Sequence, residues 1–482
     1  MDGQKKTEME NRDNGILGKG DLPTVPSFHY SIIPRLKLEE VIMKWNIPTL
    51  EDFENTVWRC TACGTCKEAY DYGPPPFSAA ICPAGEEFGF EGFKSSKGKI
   101  AYARGLLSGD LKWNDALVDA IYKCNICGGC QSQCQLDHKP FIPEIIEAMR
   151  RKAVDDGVGP MPKQKVIAQS LSSYDNPYQG PRRVRLDWTR AFKKKEKPIK
   201  DILKEPAPIL YFVGCTGAYN VPERAIAQAT ASIFNKLGLD FGILGESELC
   251  CGSTAMRLGD IEAFQRIAES NLEMFKKLHD EKGVKTIVTS CAGCYRAILK
   301  DYSKADAYGR MMEGIRVTHV TQFLHDLFTS GQLKLSKPVD WKVTYHDPCH
   351  AGRHLTKFII DKDGTQLWAG AYVGLNDEDC LYDKPRELLK AIPGIDLREM
   401  RRIKANSYCC GGGGGVMTGY NDWAQKNASL RIQEGMETGA QHMVSICPFC
   451  HYNLNQSSQA IGSKMKLYDL TELIDMALPE KV

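Results

Sequence analysis

Cysteines dominate the chemistry open to this chain. It holds nineteen, and all but Cys380 fall into short, recurring spacings. Cys60, Cys63 and Cys66 are each separated by two residues, and Cys82 follows after an insertion rich in Gly and Pro. Cys124, Cys127, Cys130 and Cys134 form a second run. The other ten make two sets of five: Cys215, Cys250, Cys251, Cys291 and Cys294, then Cys349, Cys409, Cys410, Cys447 and Cys450. Thiols act as nucleophiles, pair as disulfides or bind metals. The first 25 residues are polar, with no apolar stretch or cleavage-like site, so no signal peptide is expected and the chain reads as cytoplasmic. Thiols stay reduced in that compartment. So many reduced thiols are a reactive liability unless a metal holds them. Metal ligation is the favoured account before any spacing is weighed.

The spacing narrows the metal. Cys124-Asn-Ile-Cys127-Gly-Gly-Cys130-Gln-Ser-Gln-Cys134 has the form C-x2-C-x2-C-x3-C. That is the ferredoxin run, in which three cysteines grip one cubane and the fourth reaches its neighbour. Cys60-Thr-Ala-Cys63-Gly-Thr-Cys66 supplies the same first three ligands, and Cys82-Pro83 reads as the end of that motif displaced by a loop. By the crossed pattern, Cys60, Cys63, Cys66 and Cys134 are expected to hold one [4Fe–4S] cubane. Cys124, Cys127, Cys130 and Cys82 are expected to hold the other. Two four-cysteine zinc sites are the competing account, but zinc motifs usually pair two Cys-x-x-Cys knuckles rather than running three ligands together. Two cubanes in one unit form a wire for electrons.

These motifs need elements to position them. Lys99-Ile-Ala-Tyr-Ala-Arg-Gly-Leu-Leu, Asp115-Ala-Leu-Val-Asp-Ala-Ile-Tyr and Ile142-Pro-Glu-Ile-Ile-Glu-Ala-Met-Arg carry apolar residues at helical spacing, and Pro143 suits a helix start. Residues 36–154 therefore read as a small helical domain behind a disordered tail at 1–35. Residues 155–207 read as a linker with a basic strip, Arg182, Arg183, Arg185 and Lys193 to Lys195. The strip is taken as a solvated connector, with a docking surface for a partner subunit as the alternative. The rest looks duplicated, as 208–335 and 336–482. Each half runs from a β-rich stretch into a cysteine, at Cys215 and Cys349, and carries Cys-Cys-Gly, at Cys250 and Cys409. Each closes with a β-rich stretch into Cys-x-x-Cys, at Cys291 and Cys447, with helical stretches such as 222–237 and 261–279 between. Strands alternating with helices give two α/β units. The expected fold is α/β: a small all-helical two-cluster ferredoxin-like domain followed by a duplicated α/β cysteine-rich domain.

Composition excludes some partners. The 482 residues are 43% hydrophobic and 25% charged with a net charge of +2, which gives no general pull toward nucleic acid. No uninterrupted apolar run reaches about 18 residues, so no spanning helix is expected. An adjacent Cys-Cys pair is awkward for one cubane, because neighbouring side chains diverge; it more naturally bridges or serves different irons. A vicinal disulfide is the competing reading, and it leaves the companion cysteines unexplained.

The doubled pattern Cys…Cys-Cys-Gly…Cys-x-x-Cys resembles the catalytic subunit of heterodisulfide reductase. With the preceding pair of ferredoxin-type motifs, it is similar to the form in which the iron–sulfur relay subunit and the catalytic subunit are fused. The resemblance runs from about Trp58 to Tyr468 and includes Asn176-Pro177-Tyr178 and Asp347-Pro348-Cys349-His350. Related proteins include iron–sulfur subunits of glycolate or lactate oxidases and of anaerobic glycerol-3-phosphate dehydrogenases, and a subunit tied to sulfite reduction. The resemblance implies that each five-cysteine set binds a non-cubane [4Fe–4S] cluster. It implies further that the two clusters face each other and a disulfide is cleaved between them. Each sulfur would be captured by an iron and reduced by one electron, which suits a wire delivering single electrons. Protons must follow, and His350, beside Cys349, is the first candidate donor, with His451 second. For either, a hydrogen bond to a cluster sulfur is the plainer alternative.

Some features depart from that pattern. The run Gly411 to Gly415 lacks the Lys and Ser or Thr of a phosphate loop, and its place after Cys409-Cys410 argues for close packing on a cluster. The second repeat has 59 residues between Cys349 and Cys409, against 34 between Cys215 and Cys250. The excess lies around Lys357 to Asp379 and reads as an insertion that shapes a substrate opening or a partner contact. Cys380 beside it reads as an ordinary buried thiol. The expected function is an iron–sulfur thiol–disulfide oxidoreductase subunit acting on a disulfide substrate. The alternative is a non-catalytic electron relay for a flavin dehydrogenase or a quinone-linked membrane complex. Without a flavin or nicotinamide motif, the chain needs an electron-donor subunit, either a soluble flavoprotein or a membrane cytochrome or quinone module. Its expected location is cytoplasmic, or peripheral on the inner face of the membrane through such a partner.

Overall fold

The runs of β-branched and aromatic residues that precede the cysteines form parallel strands whose residues are largely buried, as strands flanked by helices require. They were located in a computed structural model, which describes residues 43–70, 78–89, 95–136, 138–192, 198–357 and 379–479. The first sheet has five parallel strands in the order Lys200–Asp201, Phe241–Ile243, Ile209–Phe212, Thr286–Thr289 and Arg316–His319. The second has four, also parallel: Lys466–Asp469, His442–Ser445, Lys342–Tyr345 and Asp396–Leu397. The α/β expectation holds. In both sheets the two strands that lead into cysteines are neighbours, with Ile209 paired to Thr286 and Val343 to His442. Cys215 and Cys291 therefore leave the first sheet side by side, and Cys349 and Cys447 leave the second in the same way.

Helices Arg224–Lys236 and Ile261–Lys282 cover the first sheet, and Asn421–Glu437 and Pro448–Ala460 belong to the second repeat. The last helix, Leu470–Ala477, packs on Arg224–Lys236 of the first repeat, with Lys236 Nζ 3.0 Å from Asp475. One apolar core, including Leu210, Phe234, Val343 and Ile474, runs through both repeats.

The N-terminal part is built on helices Ser96–Ser108, Asp115–Tyr122 and Ile142–Asp155, where the apolar spacing expected them. Their apolar stripes meet in a separate core that includes Phe53, Ile100, Ile121, Ile145 and Met149. An antiparallel pair, Glu68–Tyr70 with Ser78–Ala80, adds strand to this part, which was expected to be all helix. The insertion before Cys82 leaves and returns through that pair.

The stretch expected as a linker is structured. It holds helix Pro162–Tyr174, a 3-10 run over Arg182–Ala191, and the edge strand Lys200–Asp201 of the first sheet. Arg185 is buried, not solvated, because the buried Glu248 carboxylate receives its guanidinium. The 1–35 tail, Lys193 to Lys195 and residues 358–378 of the expected insertion lie outside the described residues. No described helix is long and apolar enough to cross a membrane.

Candidate metal centres

Three cavities among the described residues gather most of the cysteines. Cys60, Cys63, Cys66 and Cys134 line one small cavity with Ser96 and His138. Cys82, Cys124, Cys127 and Cys130 line a second, with Ser96 and Lys99 in its wall. Cys63 is exposed, so the first group is called the outer set; the second lies nearer the repeats and is called the inner set. Ser96 Oγ donates to Cys66 Sγ at 2.8 Å. At matched positions in the two runs, Ala62 and Ile126 take left-handed backbone, with φ of 56° and 49°. That conformation is costly for residues with a Cβ. In the second run it aims the Ile126 N–H at Cys124 Sγ, 3.4 Å away. Strain of this kind turns backbone donors toward sulfur.

The donor chemistry fits a soft, multivalent iron group. Burial pushes the Cys82 thiol up to about 11 and Cys134 up to about 12, and Cys130 is held well above its ordinary range. Thiols crowded in this way become thiolates when a cation compensates their charge. Among the described residues no carboxylate lines either small cavity, and all-sulfur sets select zinc or iron–sulfur clusters over hard cations.

In the repeats, most cysteine motifs sit at the carboxyl end of a strand or at a helix start, while Cys409-Cys410 lies in irregular chain ahead of helix Val416–Gly419. Cys215 begins helix Cys215–Tyr219, Cys291 precedes helix Ala292–Arg296, and Cys447 precedes helix Pro448–Ala460. In both Cys-Cys-Gly segments the glycine N–H donates to the first cysteine, Gly252 to Cys250 and Gly411 to Cys409, each at 3.4 Å. The two sets open onto one cavity of about 440 Å³. Cys215, Cys250, Cys251, Cys291 and Cys294 line it from the first repeat, and Cys349, Cys410, Cys447 and Cys450 from the second. Cys291 and Cys447 hydrogen-bond across the divide between repeats.

Cys409 takes a different place. It hydrogen-bonds Cys127 of the inner set, and that contact, with Arg353 adding to it, pulls the Cys127 thiol down to about 6. The glycines after Cys410, expected to pack on a cluster, press onto the same loop. A Cβ on Gly414 would lie 2.6 Å from the Cys124 carbonyl oxygen. Arg150 pins the junction, donating to Cys124 O at 2.6 Å and to Gly414 O at 2.7 Å. Arg353 Nε donates to Cys127 O at 3.0 Å, and its Nη1 reaches Ser407 O.

His350 lines the large cavity and packs edge-on against His354, ring centres 4.6 Å apart. Burial, reinforced by Arg296 and Arg257, holds it well below the ordinary histidine range, so it is neutral here. His451 turns elsewhere. Burial alone would lower it, but the Glu223 carboxylate 2.7 Å away raises it to about 9, so it joins the repeats as a buried ion pair. Sequence reasoning missed three groups. His346 brings a ring nitrogen within 4.8 Å of the Cys410 and Cys450 sulfurs. Arg185 Nη1 donates to Cys215 Sγ at 3.7 Å while Glu248 holds it. Lys99 enters the inner cavity wall. His346 stands three residues before Cys349, close enough that the signal was there to read. Cys380 is buried and donates weakly to Gly352 O at 3.4 Å, the plain thiol role expected of it.

Residues 209–298 and 343–455, which hold all ten repeat cysteines, match the CCG cysteine-rich domain family. Among curated proteins, a subunit of the dihydromethanophenazine:CoB–CoM heterodisulfide reductase of Methanosarcina barkeri is 35% identical over 363 residues, covering 75% of this chain and 78% of that protein. The chain belongs to this heterodisulfide reductase subunit family. The same subunit from Methanosarcina mazei is 33% identical over 427 residues, 87% of this chain and 93% of that protein. More distantly, the chain is 28% identical to an EtfAB:quinone oxidoreductase of Syntrophomonas wolfei, of which it spans 47%. Membership in the heterodisulfide reductase family makes the chain an iron–sulfur oxidoreductase, and its Methanosarcina relatives are components of reductase complexes.

Proposed function

We propose that the chain is the disulfide-reducing component of a heterodisulfide-type reductase. The outer and inner sets hold two cubane [4Fe–4S] clusters, and the two five-cysteine sets hold two non-cubane [4Fe–4S] clusters. The observation that carries this reading is the common cavity, since nine cysteines from both repeats converge on it and bring the two five-cysteine sets to face one another. Clusters held there would supply single electrons and iron sites for two separating sulfurs.

The residues supply the rest. Electrons enter at the outer set, where Cys63 is exposed, and reach the second repeat where Cys127 meets Cys409. The reaction balances as R–S–S–R′ plus two electrons and two protons giving RSH and R′SH. His350 is the proton carrier of this reading. A neutral imidazole accepts a proton at one nitrogen and gives one from the other, so it relays without a standing charge. Tyr178, whose hydroxyl lies 2.9 Å from Thr216 Oγ1, and Phe449 give the cavity apolar walls that limit water. The electron donor is a flavoprotein or a membrane cytochrome or quinone module, docking near the outer set.

Iron, acid-labile sulfide and zinc per chain after anaerobic purification test the proposal first. About sixteen irons are expected, four for each of four clusters. Turnover of a disulfide with a reduced dye is then expected from the same preparation. About eight irons and no turnover would leave only a two-cubane relay.

A further inference from the structure

The inner and outer cysteine sets stand in different electrostatic surroundings, and a buried lysine contributes to that difference. Helix Ser96–Ser108 points its first turn at both cavities. Positions three apart share a helix face, and here they divide the work. Ser96 reaches Cys66 of the outer set with a neutral hydroxyl. Lys99 enters the wall of the inner cavity, beside Cys82, Cys124, Cys127 and Cys130, with 1% of its surface exposed.

An ammonium is costly to bury unless negative charge compensates it. A [4Fe–4S] core on four thiolates is net negative, and reduction adds one more negative charge. A fixed cation nearby therefore favours the reduced form and raises the potential. Arg150 and Arg353 are buried beside the same set and add charge of the same sign, while their bonds to the Cys124 and Cys127 carbonyls also hold the loop. Lys67, Lys97, Lys139 and Arg104, near the outer set, are only partly buried, and water and salt screen them.

We propose that Lys99 is a potential-setting residue, whose buried ammonium makes the inner cluster a stronger electron acceptor than the outer one. This rests on the reading that each set holds a cubane. It gives the wire a direction, because electrons arriving at the exposed outer set collect on the inner one, next to the second repeat. A compact point charge on a flexible apolar stem suits the task.

EPR-monitored redox titration of the full chain tests this, with iron and sulfide measured on each preparation. The wild type is expected to show two cubane signals with separated midpoint potentials. Lys99→Met is expected to move the more positive of them to a lower potential and leave the other in place, while Lys99→Arg keeps the wild-type value. Unchanged potentials in Lys99→Met with full iron content would overturn the proposal alone. Absence of cubane signals in the wild type would overturn the cluster reading and the proposal with it. Loss of iron from both Lys99→Met and Lys99→Gln, with retention in Lys99→Arg, would make the ammonium a requirement for assembly and overturn its tuning role.

Discussion

Arg257 borders the large cavity, yet its charge is committed behind the cavity wall. Its Nε lies 2.7 Å from Glu147, and its Nη2 lies 2.7 Å from Asp301. Arg296 stands 3.5 Å from both carboxylates. Burial would raise the Asp301 carboxyl, but Arg257 and Arg296 bring it down to about 2. An unfolded aspartate titrates near about 3.9. A group depressed in this way contributes fully above the unfolded value and loses its contribution as the pH falls through the folded one. Asp301→Asn is therefore expected to cost about 3–5 kcal/mol, the usual loss when one partner of a buried pair goes. In thermal unfolding, the gap between wild type and variant is expected to stay flat from pH 6 to 9. A gap that changes across that window would mean another group is titrating. At this scale the sequence was readable where partners are local. Cys124 to Cys134 declare themselves by spacing, whereas the roles of Arg185 and Lys99 depend on Glu248 and Cys82 in distant or looped-out segments. A lysine on the same face as Ile100 and Ala103 was the available hint.

Among the elements, the glycine run after Cys410 is a tight joint. Gly414 has a φ of +65°, and a Cβ there would meet Cys124 O at 2.6 Å and the Asn125 carbonyl carbon at 2.9 Å. Gly283, which ends helix Ile261–Lys282, has a similar φ of +74° but nothing within 4 Å. The two separate backbone strain from contact. Gly283→Ala is expected to cost about 1–2 kcal/mol for the left-handed backbone alone. Gly414→Ala is expected to cost about 2–5 kcal/mol, because overpacking is added, and to lower the iron retained per chain on purification. Equal loss of melting temperature in the two would refute the tight-joint account. The strands and main helices were legible because apolar periodicity is a property of each segment. Helix Pro162–Tyr174 and strand Lys200–Asp201 were not. Both lie in a polar stretch, and neighbours far along the chain give them their order, as when Gln164 donates to Gly415 O at 2.9 Å.

Over the whole molecule, a repeated sequence pattern gives two halves of unequal standing. The duplication was plain from the cysteines, but not how the halves face one another, because Cys291 and Cys447 meet only through the packing of two separate sheets. Nor did the sequence say that Cys127 touches Cys409 in the second half. The junction at that contact is closed from several sides, by Gly414 seated on Cys124, Arg150 clasping both, and Arg353 tying Cys127 to Ser407. Such a junction has no swinging arm. Many redox enzymes ferry electrons on a tethered domain, and their turnover slows as the solvent thickens. In this chain, electron arrival at the second repeat after flash reduction is expected to keep the same rate in sucrose or glycerol, and a rate falling in proportion to viscosity would mean the junction opens. A carrier soldered in place would trade reach for constancy: it would serve the repeat it touches, in every molecule at every moment.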